Sequence, residues 1–276
     1  MHTASQEFIR HPKLDKAIKI GTYLLAATVW VSALLFGLFI LSFYFVALME
    51  GNTEQWNQVL PGLYDSSTKS ATIGIGIHFA AGGIILILGC IQLIGRLRDS
   101  FPALHRWLGR IYVLACLVAS IGGLAFIFIK GTIGGPVMDI GFSGYGVLMF
   151  WAAIEAFRHA KGRRIERHRA WAIRLFALAI GSWLYRMDYG FWFLFTDGLG
   201  HTDTFDGPFD YFMSFFFYLP NLLVAEFFIR RKKLLQSAAS KWVAVSGLYV
   251  ATVFLILATY FFTMRLWGAA IVELFV

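Results

Sequence analysis

The chain has 276 residues, 58% hydrophobic and 17% aromatic, with only 14% charged and a net charge of +8. An ordinary soluble domain is about 25% charged, so a soluble globular fold is excluded and a polytopic membrane protein is expected. The two cysteines, Cys90 and Cys116, lie in apolar runs without Cys-x-x-Cys spacing, which removes a zinc knuckle or a redox pair.

Seven apolar spans follow in chain order. The chain is polar as far as Lys19, and the run Ile20–Met49 is longer than the apolar core of a cleavable leader, so a retained anchor is expected. The remaining spans are Ala71–Ile94, Trp107–Ile129, Ile140–Phe157, Trp171–Phe195, Tyr211–Ile229 and Trp242–Met264. Each is predicted to be a helix, because hydrocarbon leaves an unpaired backbone group unsatisfied. A barrel would need alternating polarity, which these runs lack. The predicted fold is all-α, a seven-helix transmembrane bundle forming one integral membrane domain over 1–276. Residues 71–195 form its four-helix core, and 20–49 and 209–264 are peripheral helices.

Lysine and arginine set the orientation. The N-terminal segment holds Arg10, Lys13, Lys16 and Lys19. The second-to-third connection holds Arg96, Arg98 and Arg106, and the fourth-to-fifth holds Arg158, Lys161, Arg163, Arg164, Arg167 and Arg169. The sixth-to-seventh holds Arg230, Arg231, Lys232, Lys233 and Lys241. The opposite loops are acidic, with Glu50, Glu54, Asp65, Asp197, Asp203, Asp206 and Asp210. The positive-inside rule therefore predicts a cytoplasmic N-terminus and an outside C-terminus. Topology accounts for the basic loops, so the expected partner is the lipid bilayer rather than nucleic acid.

One motif occurs twice. Gln92 precedes His105-Arg106-Trp107, and Glu155 precedes His168-Arg169-Ala170-Trp171, by thirteen positions in each case (105 − 92; 168 − 155). Helices two and three then read as one unit and helices four and five as a parallel repeat of it, an arrangement that places a site between the units. Ser100 with Pro102 reads as a helix start, which sets His105 in a first turn and His168 at a similar level.

At this inner end Gln92, His105, Arg106, Glu155, His159, His168, Arg169, Arg174 and Glu226 gather. Glu155, Arg174 and Glu226 fall within apolar runs, where charges face a partner or a cavity, so Arg174 is expected to pair with Glu155 or Glu226. Three readings of the imidazoles stand together. They anchor helices at the interface, they belong to a proton-handling network, or His105 and His168 ligate haem iron with Arg106 and Arg169 on the propionates. No other metal is expected.

At the outer end His78 lies about seven residues, hence ~10 Å, inside helix two. Gly74, Gly76, Gly82 and Gly83 surround it in sequence, and Gly122, Gly123, Gly141, Gly144 and Gly146 recur at comparable depth. Small residues let helices pack closely and leave room for a flat ligand. Arg186 and Asp188 are two apart and do not share a helix face. His78 with either one forms a candidate small-molecule or quinone head-group site. The loop Asp197–Asp210, with His201, Asp203 and Asp206, has the oxygen ligands for a divalent cation without the calcium-loop pattern.

These residues resemble a bacterial family of predicted membrane proteins described as a domain of unknown function. The resemblance rests on His78, on Gly89-Cys90-Ile91-Gln92-Leu93, and on His105-Arg106-Trp107-Leu108-Gly109-Arg110-Ile111-Tyr112. Gly141-Phe142, His168 to Trp171, Ile173-Arg174 and Leu184-Tyr185-Arg186 complete it, over residues 75–190. It implies a multi-pass protein of the bacterial cytoplasmic membrane and little about activity. A weaker resemblance is to the four-helix di-haem cytochromes b. There is no second outer intramembrane histidine to pair with His78, so this resemblance implies one haem b at most.

No activated nucleophile, phosphate-binding glycine loop with lysine, or zinc-protease helix motif is present. The functions expected are membrane electron transfer with haem or quinone, proton-coupled transport of a small molecule, or a non-catalytic subunit role. In the last, the aromatic helices six and seven, with Phe209, Phe212, Phe215, Phe216 and Phe217, meet a membrane-protein partner or a second copy, and facing lipid is an equal alternative for them.

Overall fold

The computed structural model describes residues 11–59 and 62–273, and Arg10 lies outside them. Helix α1 is Pro12–Ile40, prolonged by a π-helical turn, Leu41–Phe45, and a last turn, Val46–Met49. Then come α2 (Lys69–Gln92), a short helix at Gly95–Ser100, α3 (Pro102–Lys130) and α4 (Gly135–Lys161). They are followed by α5 (Ile165–Ala179), α6 (Gly181–Thr196), α7 (Pro208–Phe216) and α8 (Leu219–Leu234). The last, α9 (Ala238–Phe262), continues through a π-helical turn at Thr263–Trp267 and a turn at Gly268–Glu273. No strand occurs among the described residues. Proline occupies the first turn of α1, α3, α4, α7 and α8, where its missing N–H leaves no carbonyl unpaired.

Six helical runs are long and apolar enough to cross a membrane: Pro12–Met49, Lys69–Gln92, Pro102–Lys130, Gly135–Lys161, Pro208–Arg231 and Ala238–Glu273. The protein is a helical membrane bundle. The span read as Trp171–Phe195 differs, being two shorter helices, α5 and α6, in series through Ile180. A side chain explains the break. The Tyr145 hydroxyl of α4 donates to the Leu178 carbonyl at 2.9 Å, the acceptor that the Ser182 N–H would use in an unbroken helix. The fifth run, Pro208–Arg231, breaks between α7 and α8, where Pro220 cannot donate to the Phe216 carbonyl.

Helices α2, α3, α4 and α5 form a closed ring of contacts, α2 on α3, α3 on α4, α4 on α5 and α5 back on α2. Helix α1 packs outside α2 and against α9, α7 packs on α4, and α8 on α5. The seam between α2 and α3 is tight where Gly74 meets Gly122. A Cβ on Gly122 would lie 2.6 Å from the Gly74 carbonyl oxygen, so only glycine permits that approach.

The spacing of the two motifs carries over into helix register. A shift of 63 residues (155 − 92; 168 − 105) superposes both motif positions. His105 and His168 are each the fourth residue of their helix. Their N–H groups bond the Phe101 and Arg164 carbonyls at 3.0 and 2.9 Å. The same shift lays α3 on 165–193, so α5 and α6 together occupy the place of the single helix α3.

Candidate functional site: a cavity beside the repeat

At the end of the ring remote from the two motifs lies a cavity of about 570 Å³, within the ~300–1,000 Å³ usual for small-molecule sites. Helix α2 contributes His78 and Phe79, α3 Ser120 and Gly123, α4 Tyr145, and α6 Ser182, Tyr185, Arg186 and Tyr189. Phe262 of α9 and Trp267 of the following π-helical turn close another wall. No aspartate or glutamate is among the lining residues.

His78 is held by one ring nitrogen. Its Nδ1 lies 2.8 Å from the Ala119 carbonyl oxygen. A carbonyl only accepts, so Nδ1 carries hydrogen, and Nε2 is left to exchange a proton or meet a ligand. Glycine makes this possible: a Cβ on Gly123 would lie 3.0 Å from that Nδ1. Arg186 is held in a matching way. Its Nη1 donates to the Ser182 carbonyl at 2.9 Å, and the guanidinium sits 5.3 Å from the Phe36 ring centroid. No ion pair to Arg186 occurs among the described residues, so most of its five donors are unspent.

The repeat relates these two anchors. Ala119 and Ser182, the acceptors, are 63 apart (182 − 119). The position equivalent to His78 is Gly141 (141 − 78 = 63), and the position equivalent to Arg186 is Gly123 (186 − 123 = 63). Each half therefore supplies one polar side chain and one glycine.

Lys130, the other cation of the cavity wall, is already engaged. Its Nζ donates to the Gly62 carbonyl at 2.8 Å and lies 3.2 Å from Asp65. The Ser67 hydroxyl and N–H, and then Lys130, hold the Asp65 carboxyl down at about 2, so it stays ionised opposite the lysine. Arg186 is left as the unpaired charge of the cavity.

Asp188 does not line the cavity, whereas Arg186 does, as their two-residue spacing requires. Phe36 and Trp267 were missed as site residues, because α1 and α9 read as peripheral. The Phe36 and Trp267 rings lie 5.3 Å apart, tilted at 43°, and Trp267 is turned fully inward by its π-helical turn. No sequence signal marks that turn.

The motif end is arranged differently. Arg174 takes Glu226, at 2.6 Å, not Glu155. Glu155 is buried and is paired with Arg158 at 2.9 Å and His159 at 3.2 Å on its own helix. His168 lies with Nδ1 2.9 Å from the Ala156 carbonyl oxygen, which fixes that nitrogen as the donor. His105 Nδ1 and Gln92 Nε2 are buried with no hydrogen-bond partner. Arg106 and Arg169 are exposed. The donor set suits axial ligation at His168, whose Nε2 is left open, while the His105 ring has no such tether. The cavity described above lies at the other end, so a haem here has only these imidazoles in its favour.

The loop after α6 holds a buried carboxylate rather than a cation cage. Asp210 is fully buried and accepts from Tyr189 Oη and His201 Nδ1, each at 2.7 Å, and from the N–H groups of Gly207 and Thr202 at 3.0 and 3.1 Å. Asp206 accepts from the Thr202 and Thr204 hydroxyls, which lower its pKa. No group of three or more histidine, cysteine, aspartate or glutamate side chains able to hold a metal ion occurs among the described residues. The loop instead borders the cavity, with Phe205 beside Tyr189 of α6 on its wall.

Residues 75–229 match the family described as Predicted membrane protein (DUF2306). The match exceeds half of the chain and extends past the motif-bearing helices through α7 and most of α8. No curated protein and no solved structure matches the chain. The chain belongs to this family of predicted membrane proteins.

Proposed function

We propose that this family member is a membrane redox protein that binds a quinone-type head group in the cavity, between His78 and Arg186. One observation carries the reading. An unpaired guanidinium and an imidazole with a free Nε2 share an aromatic cavity without a carboxylate. A bound ligand then brings hydrogen-bond-accepting oxygens and a flat apolar body. Arg186 donates to one oxygen and stabilises the negative charge it gains on reduction. His78 gives or takes the proton at Nε2 while Nδ1 stays tethered. Electrons come from a redox partner. In this reading α5 and α6 form one interrupted crossing, making seven. The basic end faces the cytoplasm of a bacterial cell and the cavity faces outward.

The test uses Trp267, which is fully buried on the cavity wall. A short-chain benzoquinone titrated into the purified protein is expected to quench tryptophan fluorescence saturably. Arg186→Gln removes a charged hydrogen bond and weakens the affinity about tenfold to a hundredfold. Quenching that never saturates, or that is the same in both proteins, overturns the reading.

A further inference from the structure

One face of α3 carries a polar side chain, or a glycine that admits one from α2, at every turn. It begins with His105, whose Nδ1 is buried and unpaired. Next is Gly109, where a Cβ would lie 3.2 Å from Gln92 Oε1, with the Gln92 Nε2 also buried and unpaired. Then comes Tyr112, 5% exposed, against Gly89 of α2, with a buried hydroxyl that has no oxygen or nitrogen partner and only the weakly polar Cys116 thiol beside it. One turn on is Cys116, fully buried, whose carbonyl accepts from Ser120 Oγ at 2.8 Å. Ser120 reaches the cavity, where Gly123 seats His78.

From His105 to Gly123 is eighteen residues (123 − 105), or ~27 Å of helix, close to the ~30 Å hydrocarbon thickness. Three orphaned buried polar atoms along one seam are not tolerated dry inside a membrane. Internal water satisfies such groups. The spacing fits it, since one turn of ~5.4 Å is about two hydrogen bonds of ~2.8 Å through one water. Close packing alone explains the glycines but not a buried Tyr112 hydroxyl left with only a thiol, which a phenylalanine would spare.

We propose that the α2–α3 seam is a proton path, a file of internal water joining His105 and Gln92 at the motif end to His78 in the cavity, with Tyr112 as its middle relay. The path stands without the quinone reading, although it would supply the proton that His78 exchanges there. At each step a proton passes along a hydrogen bond to the next oxygen or nitrogen while that group releases another onward. No bond to carbon changes and no electron moves.

The experiment places the ligand-free full chain in liposomes with a trapped pH dye and drives protons inward with a potassium diffusion potential. The wild type is expected to acidify the lumen faster than protein-free liposomes. Tyr112→Phe keeps the ring and is expected to cut the protein-dependent rate about tenfold or more. Tyr218→Phe, another buried tyrosine that lies off the seam, leaves the rate unchanged. A wild-type rate equal to that of empty liposomes overturns the proposal, as does an unchanged rate in Tyr112→Phe or an equal loss in both variants. Quinone is absent throughout, so failure to bind quinone would sink the ligand reading and leave this result intact.

Discussion

The two ends of the four-helix ring follow the 63-residue spacing to different degrees. At the motif end the halves still match: His105 and His168 are each the fourth residue of their helix, and Gln92 and Glu155 precede them at equal spacing. At the cavity end the halves have parted. His78 stands where the other half has Gly141, and Arg186 where it has Gly123. A symmetric end can close a ring by packing the same parts twice. A ligand with one head group needs an asymmetric end, and here Gly123 seats the His78 ring while Gly141 admits the Ser214 backbone of α7. The carbonyl tethers at Ala119 and Ser182 keep the 63-residue spacing where the side chains they hold do not.

The sharpest way to break the cavity end is Asp210→Asn. The carboxylate accepts four hydrogen bonds in full burial, and an amide would turn two donors of its own towards existing donors. A loss of about 3 kcal/mol in unfolding free energy is expected, as for breaking a buried pair. Because Tyr189 and Phe205 also line the cavity, ligand affinity should fall with it. A thermal melt and the quinone titration read the two effects. A variant as stable as the wild type would mean that the loop does not depend on this carboxylate.

What was legible in the sequence divides along the same line. Hydropathy and the thirteen-residue spacing are local signals, so six of the expected spans and the matching His105 and His168 register could be read from them. His78 and Arg186 stood out as polar residues inside apolar runs. Phe36 and Trp267 did not, because an aromatic residue in an apolar helix looks the same whether it faces lipid or a cavity. The break at Ile180 was illegible for a similar reason. It depends on a hydroxyl arriving from another helix, Tyr145 to the Leu178 carbonyl. Arg174 had two candidate carboxylates in sequence, and only packing of α5 against α8 selects Glu226.

A smaller effect tests the seam that joins the two ends. Gly122→Ala places a Cβ 2.6 Å from the Gly74 carbonyl oxygen and should cost about 1–3 kcal/mol through overpacking. Gly82→Ala meets nothing within 4 Å and should be neutral or slightly stabilising, since alanine favours the helix. Equal melting temperatures for the two variants would show that glycine at the seam is not there for close approach.

The smallest expected difference returns to the motif end, where the halves match most closely. Arg110 stacks on Trp107 at 5.1 Å and Arg174 on Trp171 at 4.8 Å, each three residues on. Only Arg174 also holds a carboxylate, Glu226, which Arg230 shares from a more exposed position. Arg110→Ala removes a stack worth about 0.5–1 kcal/mol. Arg174→Ala removes a similar stack and the ion pair, so it should cost about 0.5–1 kcal/mol more. The excess, not the stack, should shrink in high salt, because the pair is only partly buried and screening weakens it. If the two variants lose equal stability at low salt, the Glu226 bridge adds nothing, and the second half is no more tightly fastened at this end than the first.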